Sequence, residues 1–579
     1  FKQKTAYEIR LSLVGSEMCI RDSFEKALEA AVERLPPVTR EQLRNEGVLL
    51  GRNDIPAKFR VSFGKTFSID SEIWLRPRNA AELARAVQFA ESQKRSLKPI
   101  GSLCTWSPAA RADDDGIALI TEALDGVLDP EWPLLRAVKV PDPGHAAEDI
   151  PTVRDARHLT RVGAGSTLWA LSDALATRNL GLKTMGGFGG ERVGGALSTG
   201  THGSSIFSGP ICDWVKSMDV CWRGVLVRLE PNDGPTDPLA FAKSAEHQGW
   251  LLLQDDETFH TARISYGTMG VALSYLIEVA PLYYLEEKRV PIPLKLAREE
   301  IRAAIAGAPG NVFTRAWSSE FYFNLYSKEP EMLATRVTRS IIPRPQGELR
   351  SRNTLDDKIF RSFRAIGIDP GQFFSLFFGL VPSFVPTALA FTIKQLNERY
   401  ANRSDHVYNM GSINLVGTLV QETAIPAERI DAYLDDCFAL AKKLFENGQK
   451  SLTSPIGVRF VKPTPAPLAV QGTYWTDESG TKHPATLWAM VNYTLTRGTK
   501  HSEEIMRAFA DVGLKHCGRA HPGKYCFDTH AQWSERCNLP EVLKLRSVVD
   551  PHEVFLNAWN RELFALPGTP DSRTGSSHS

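Results

Sequence analysis

At 579 residues the chain exceeds one typical domain and can bury at least one full core, so two domains are the default. A net charge of +1, with the basic residues dispersed, argues against a nucleic-acid footprint. Charged residues at 23% and hydrophobic ones at 42% are those of an ordinary soluble protein, and eight cysteines with no C-x-x-C pair read as buried thiols in a reducing compartment.

Residues 1–23 lack Met at the start and resemble translated sequencing-adapter read-through. They have neither the basic start nor the long apolar centre of a signal peptide, so they are set aside as an artefact. The native N-terminus and any targeting signal are expected to be missing, with cytoplasmic or membrane-associated placement favoured. Residues 24–69 read as a lead-in, helical from Phe24 to Glu33 and broken by Leu35-Pro-Pro-Val38. Trp74-Leu-Arg-Pro77 predicts a short strand. Asn79 then caps a helix over Ala80 to Gln93, whose Leu83, Ala86, Val87 and Ala90 form one apolar stripe. Leu97-Lys-Pro-Ile100 is a second strand. Such a β-α-β unit places the loop Gly101 to Pro108 at a strand's carboxyl end, where ligands of α/β sheets bind.

Arg161-Val-Gly-Ala-Gly165 leads into a predicted helix over Leu168 to Thr177. The stretch Thr184 to Ser205 follows, with eight glycines in 22 residues. Side-chain-free positions at that density let backbone approach a bulky ligand, and their N–H groups converge on charge. A flat cofactor carrying phosphates fits, as does a glycine-rich surface loop. The spacing matches neither G-x-G-x-x-G opening a helix nor G-x-x-x-x-G-K-[ST], which disfavours the nicotinamide fold and the P-loop. Ser265-Tyr-Gly-Thr-Met-Gly-Val271 precedes a strand over Ala272 to Val279 that finishes a first domain, residues 70–285.

Residues 286–538 alternate helical segments, such as Leu294–Ala306 and Ala427–Asn447, with strand-like runs such as Thr486–Leu495, which predicts α+β with an antiparallel sheet. The run Phe373 to Phe391 carries no charge over nineteen residues. Pro382 and Pro386 break a simple helix there, so a buried core segment leads, ahead of a lid or a peripheral membrane contact and, last, a membrane span. Residues 539–566, with Asp550-Pro-His-Glu-Val-Phe-Leu-Asn557, are expected to return to the first domain, and 567–579 form a Gly/Ser/Thr-rich disordered tail.

The ordered set formed by Lys98–Pro108, Arg161–Gly165, Thr184–Ser205, Ser265–Val271, Arg519-Ala-His-Pro-Gly-Lys524 and Asp550–Asn557 resembles the vanillyl-alcohol oxidase / p-cresol methylhydroxylase (PCMH-type) flavin oxidoreductases. Within them the set is most similar to the aldonolactone and alditol oxidases and the covalent-flavin cholesterol oxidases. The resemblance implies an α+β fold: a two-subdomain PCMH-type FAD-binding domain followed by an α+β cap. It implies FAD held by Pro99, Ile100, Gly101, Ser102, Leu103, Cys104, Thr105, Gly186, Gly187, Gly194, Gly195, Thr199, Gly200, Thr201, His202, Gly203, Gly270 and Val271. His202 is kept as a structural residue of that segment.

Three departures from the family pattern matter. Cys104 stands where relatives carry a histidine bonded to the flavin 8α-methyl. Non-covalent FAD is favoured, and an 8α-S-cysteinyl link is the alternative. Arg459 keeps the arginine of the family's Glu-x-Arg, but Gly457 replaces the glutamate, so a carboxylate from elsewhere, or a different substrate, is required. Lys524 matches the lysine expected near flavin N1 and C2=O, with Pro522 replacing the family's tryptophan. Asn492 and Thr494 share one strand face and are candidates for substrate contact.

With no metal spacing, nucleophile elbow or Walker motif, the hard chemistry falls to the cofactor. The implied activity is oxidation of a CH–OH group of a sugar lactone, alditol or sterol-like alcohol by hydride transfer to flavin N5. Dioxygen is the expected acceptor, because Gly186 stands where a small residue governs oxygen access in the aldonolactone relatives. The alternatives are a dehydrogenase feeding a quinone or cytochrome and a flavin-binding protein with degraded chemistry.

Overall fold

The computed structural model describes residues 17–136, 158–327, 333–346, 349, 378, 380–395, 397–409 and 417–564. Helix α1 (Glu17–Val32) runs through the boundary expected at residue 23. Arg21, from the segment set aside, pairs there with Asp255 and Glu257.

A four-stranded sheet follows, of β1 (Leu49–Leu50), β2 (Ile73–Leu75), β3 (Leu97–Ile100) and β4 (Ile117–Ile120), in the order β1-β2-β4-β3. The expected β-α-β unit is present, but β4 lies between its two strands and pairs in parallel with both. Its helix α2 (Ala80–Gln93) starts where Asn79 accepts the Glu82 N–H at 3.0 Å, a cap that contributes about 1 kcal/mol. The stripe Leu83, Ala86, Val87 and Ala90 is fully buried.

The second sheet has the order β9-β8-β7-β10-β6-β5, with β5 (Val127–Leu128), β6 (Leu159–Gly163), β7 (Val215–Trp222), β8 (Val225–Glu230), β9 (Leu251–Gln254) and β10 (Val271–Glu278). Helix α3 (Leu168–Thr177) has the expected bounds, and the glycine-rich stretch contributes the short helix α4 (Val193–Ser198). Asp219 is buried between Arg161 (2.6 Å) and Arg228 (2.8 Å), so the charges inside this sheet have partners.

From residue 284 the chain forms an eight-stranded antiparallel sheet in the order β14-β11-β13-β12-β16-β17-β15-β18. The strands are β11 (Tyr284–Pro293), β12 (Ser318–Phe323), β13 (Leu333–Ile342), β14 (Glu398–Arg403), β15 (Thr418–Pro426), β16 (Ile456–Val461), β17 (Trp488–Thr496) and β18 (Arg519–Ala520). Helices α5 (Leu294–Ile305), α7 (Ile430–Glu446) and α8 (Ser502–Lys515) contribute to one apolar core with strand residues such as Phe321, Val458 and Val491. The period of two sends the alternate residues, among them Glu422, Gly457, Arg459 and Asn492, to the opposite side.

Of the uncharged run 373–391, residues 373–377 and 379 lie outside the described residues. The remainder forms a short turn and helix α6 (Val385–Gln395), which buries Val385, Leu389 and Ile393 and leaves Leu380, Val381 and Phe384 exposed. Among the described residues no helix is long and apolar enough to cross a membrane. Helix α9 (Leu539–Val549) joins the core of the second sheet, and the residues after it pack on the first: Leu97 N–H donates to the Val554 carbonyl, and Asn557 Nδ2 to those of Pro108 and Arg111. The seven cysteines from Cys104 to Cys537 form no disulfide.

Candidate active site

Two adjoining cavities lie between the sheets. The first is lined largely by backbone and small residues: Gly101 to Thr105 after β3, Gly194 and Gly195 of α4, and Ser265 to Gly267 with Met269 to Ala272 before and within β10. Leu103 takes a left-handed φ of 50°, an uncommon conformation for a leucine that turns the loop around the cavity. A Cβ built at Gly195 meets nothing within 4 Å, so this helical glycine borders open space. At Gly194 a Cβ would lie 3.1 Å from the Ala164 side chain, so that glycine serves close packing of helix on strand.

Lys98 sits at the first cavity's edge, fully buried, and donates to the carbonyls of Gly267 (2.9 Å) and Phe555 (3.2 Å) and to Asn560 Oδ1 (2.9 Å). Burial, with Arg546 adding, lowers its pKa to about 7. These bonds tie β3, the Ser265–Val271 loop and the C-terminal segment into one wall.

The second cavity, of about 360 Å³, lies over the eight-stranded sheet and shares Cys104, Thr105, Glu191 and Thr199 with the first. A size above roughly 300 Å³ suits a small organic ligand. At the shared end stand His202, Glu422, His521 and Lys524. His202 Nδ1 donates to the Gly203 carbonyl at 2.9 Å, which turns Nε2 toward Glu422 Oε1, 3.4 Å away. Burial alone would raise Glu422, but His202, with His521 and Lys524 behind it, outweighs burial and holds the carboxyl well below the usual range. His521 accepts the Gly523 N–H at its Nδ1, and burial pushes its pKa down to about 4, so it is neutral at pH 7. Lys524 places its ammonium 4.5 Å from the centre of the Trp106 ring.

Glu191, contributed by the glycine-rich stretch, is the second carboxyl at this junction and accepts the Thr201 hydroxyl at 3.2 Å. Burial raises its pKa, with Glu422 adding and Lys524 opposing, so the two carboxyls are driven apart in acidity. Cys104 is half-buried, and burial, with Glu191 adding, pushes its thiol well above the ordinary range. A thiol held neutral is a poor nucleophile.

The missing glutamate of the Glu-x-Arg pattern comes from the neighbouring strand. Glu320 on β12 is the register partner of Arg459 on β16, and its Oε1 lies 3.8 Å from Arg459 Nε. Glu320 also takes Arg339 at 2.6 Å and the Tyr322 hydroxyl at 2.9 Å. Burial opposes its ionisation, but Arg339 and Arg459 prevail and hold it at about 2. At Gly457 a Cβ would lie 3.1 Å from the Tyr322 ring, so the tyrosine covers the place a side chain would need.

Of the residues expected at the site, Pro99, Gly101, Ser102, Leu103, Cys104, Thr105, Gly194, Gly195, Thr199, Gly270 and Val271 line the first cavity. Gly186, Gly187, Thr201, His202, Arg459, Asn492, Thr494 and Lys524 line the second. Ile100, Gly200 and Gly203 line neither. Ile100 is buried in β3, Gly200 closes α4 at φ 70° against Ile264, and Gly203 packs on Thr184 and Met185. The sequence reading missed Glu191, Glu320, Tyr322 and Glu422. An acidic residue inside an otherwise β-rich run, as in Ser318-Ser-Glu-Phe-Tyr-Phe323 and Leu419-Val-Gln-Glu-Thr423, is the signal that marks Glu320 and Glu422, because such a residue in a covered strand needs a partner.

A family model described as an FAD binding domain matches residues 145–229, and one described as D-arabinono-1,4-lactone oxidase matches 320–563. D-Arabinono-1,4-lactone oxidase of Eremothecium gossypii is 27% identical over 218 residues, which span 38% of this chain and 33% of that protein. L-Gulono-1,4-lactone dehydrogenase of Mycobacterium tuberculosis is 22% identical over 491 residues, 84% of this chain and 95% of that protein. Among solved structures, cholesterol oxidase from B. sterolicum superposes with a TM-score of 0.62 at 14% identity, covering 89% of this chain and 99% of its own, a likeness of fold.

Proposed function

We propose, from the premise that this chain belongs to the PCMH-type FAD-dependent oxidase family, that it oxidises the CH–OH group of a small hydroxylated substrate in the second cavity, with dioxygen as acceptor. One observation carries the reading: a glycine-lined cavity opens, at Cys104, Thr105, Glu191 and Thr199, into a side-chain-lined one that brings Lys524 and Arg459 together. The first cavity fits FAD, since its walls are backbone and small residues and Gly195 faces open space. Its residues would hold the adenosine and phosphates, and the junction the ring. When bound, FAD supplies the two-electron acceptor that carbinol oxidation needs.

The chain's own residues supply orientation and proton handling. Arg459, which lines the cavity beside Glu320, presents donors to a substrate oxygen. His202 Nε2 and Glu422 form the pair able to take the carbinol proton, with the ring turned by its Nδ1 bond to Gly203. The Lys524 ammonium is a fixed positive charge at the junction and favours negative charge building there. The wall carries Ser454, Asn492 and Thr494, with the Thr418 hydroxyl left unpartnered among the described residues, which suits a hydroxylated substrate over a sterol.

We hold the FAD to be non-covalent, because the Cys104 thiol is kept neutral. Acid precipitation then releases all yellow colour into the supernatant, and flavin retained on a peptide containing Cys104 overturns that assignment. The activity itself is tested by anaerobic bleaching of the purified yellow protein with aldonolactones, alditols and sterols; a flavin bleached by none rules it out. The similarity to a dehydrogenase over 84% of the chain favours a second reading, with electrons passed to another acceptor. Hydrogen peroxide yield against dye reduction separates the two.

A further inference from the structure

The wall of the second cavity built by β11 and β13 carries polar groups that the reaction above leaves unused. Arg289 lines the cavity and is 3% exposed, yet only its Nε has a partner, Glu287 Oε1 at 2.5 Å. Among the described residues its two NH₂ groups donate to nothing. Thr335 lines the same wall and is fully buried, and its hydroxyl also lacks a partner there. The orphaned Thr335 hydroxyl carries a desolvation cost that no protein group offsets, and the four N–H groups of Arg289 are left for the cavity it lines.

The charges around them are shared unevenly. Glu287 bridges Arg289 and Arg339, and Glu320 bridges Arg339 and Arg459, so three buried guanidiniums share two carboxylates. Glu422 acts on Arg459 as well, so Arg289 is the guanidinium of this group that meets a single carboxylate, and it lines the cavity. A guanidinium so placed keeps paired donors for an anion that enters.

We propose that Arg289 and Thr335 form a carboxylate-binding subsite, so that the substrate is a sugar-acid anion whose carboxylate is held at this wall while its carbinol lies toward Lys524. The inference rests on the reading of the second cavity as the substrate site. The two NH₂ groups of a guanidinium match the two oxygens of a carboxylate, and the threonine hydroxyl adds a third donor. A neutral lactone or alditol offers these donors no second negative charge.

The test uses the FAD-loaded protein and three forms of one carbon skeleton: gluconate, glucono-1,5-lactone and glucitol, repeated in the galacto series. Binding is read anaerobically from the flavin spectrum within minutes of dissolving the lactone, and KM and kcat are measured wherever turnover occurs. The acid is expected to bind at least about tenfold more tightly than either neutral form, the scale of one charge-assisted hydrogen bond. Thr335→Val keeps the side chain's shape and removes a hydroxyl that bonds nothing among the described residues, so Tm stays unchanged while the preference for acid falls by about fivefold. Arg289→Lys, which keeps the charge but loses the paired donors, cuts it by about tenfold or more. Equal or weaker binding of the acid in both series, or an acid preference intact in both variants, overturns the subsite. A flavin bleached by none of the six compounds speaks against the CH–OH reading instead, and the spectral titration still decides the subsite because binding needs no turnover.

Discussion

The two cavities are built on opposite principles. The first is made of loops and turns in which the chain supplies backbone and small side chains, and few of its lining residues are charged. The second is made of long side chains from separate strands, with Arg289, Arg459, Lys524, Glu191, Glu422 and two histidines around one space. A group as large as FAD needs room and main-chain donors, which glycine and serine give readily in any register. Selective chemistry on a small substrate needs charges of both signs held close together, and only a sheet that brings distant strands side by side supplies them.

If that division is right, charge removal in the second cavity and bulk added to the first must produce different losses. The largest effect is expected at Lys524. Lys524→Met should retain FAD and slow anaerobic flavin reduction by about one to three decades, the range for one electrostatic group at a reacting centre. Stopped-flow reduction as fast as wild type removes Lys524 from the site, and loss of flavin instead blurs the line between the cavities.

The next effect concerns stability. Glu320 is held at about 2 against an ordinary 4.5, so its contribution is complete above about pH 4.5 and is lost as pH falls toward 2. A depression of that size corresponds to about 3 kcal/mol. Glu320→Gln should therefore be less stable by about that amount at pH 7, with the gap to wild type narrowing in urea melts between pH 5 and pH 3. A gap constant across that range shows that Glu320 is not held by Arg339 and Arg459.

Gly195→Val sharpens the contrast from the other side. A Cβ there meets no protein atom, so the fold should be unharmed, while FAD affinity falls by about tenfold or more if the open space is the cofactor's. Equilibrium dialysis with the apoprotein measures it, and unchanged affinity takes the cofactor away from α4. The smallest effect is expected at Gly186, which lines the second cavity and where a Cβ would sit 2.8 Å from the Thr201 methyl. Gly186→Ala should slow reoxidation by dioxygen about two- to tenfold, since a displaced Thr201 costs on the order of 1 kcal/mol, and should spare reduction by substrate. Equal effects on both half-reactions count against an oxygen path at that glycine.

Local structure and the lining of the first cavity were legible in the sequence. Asn79 and the Leu83, Ala86, Val87, Ala90 stripe set α2, and the helix over Leu168–Thr177 has the bounds its pattern predicts, because caps and periodicity act over a few residues. The loop after β3, the glycine-rich stretch and the Ser265–Val271 turn were legible for the same reason: a pocket walled by backbone leaves contiguous runs of glycine and small residues. Arg459, Lys524, Asn492 and Thr494 were reachable through resemblance and strand alternation. The tertiary structure alone decided what they face. Glu320 stands 139 positions from Arg459 in the chain yet is its register partner, and Glu422 of the eight-stranded sheet meets His202 of the glycine-rich stretch. Cross-strand pairing depends on strand order, and no local signal in a chain fixes the order of eight antiparallel strands. The carboxylate missing at Gly457 is supplied from the next strand, because what the arginine requires is a negative charge within a few ångströms and not one two residues away.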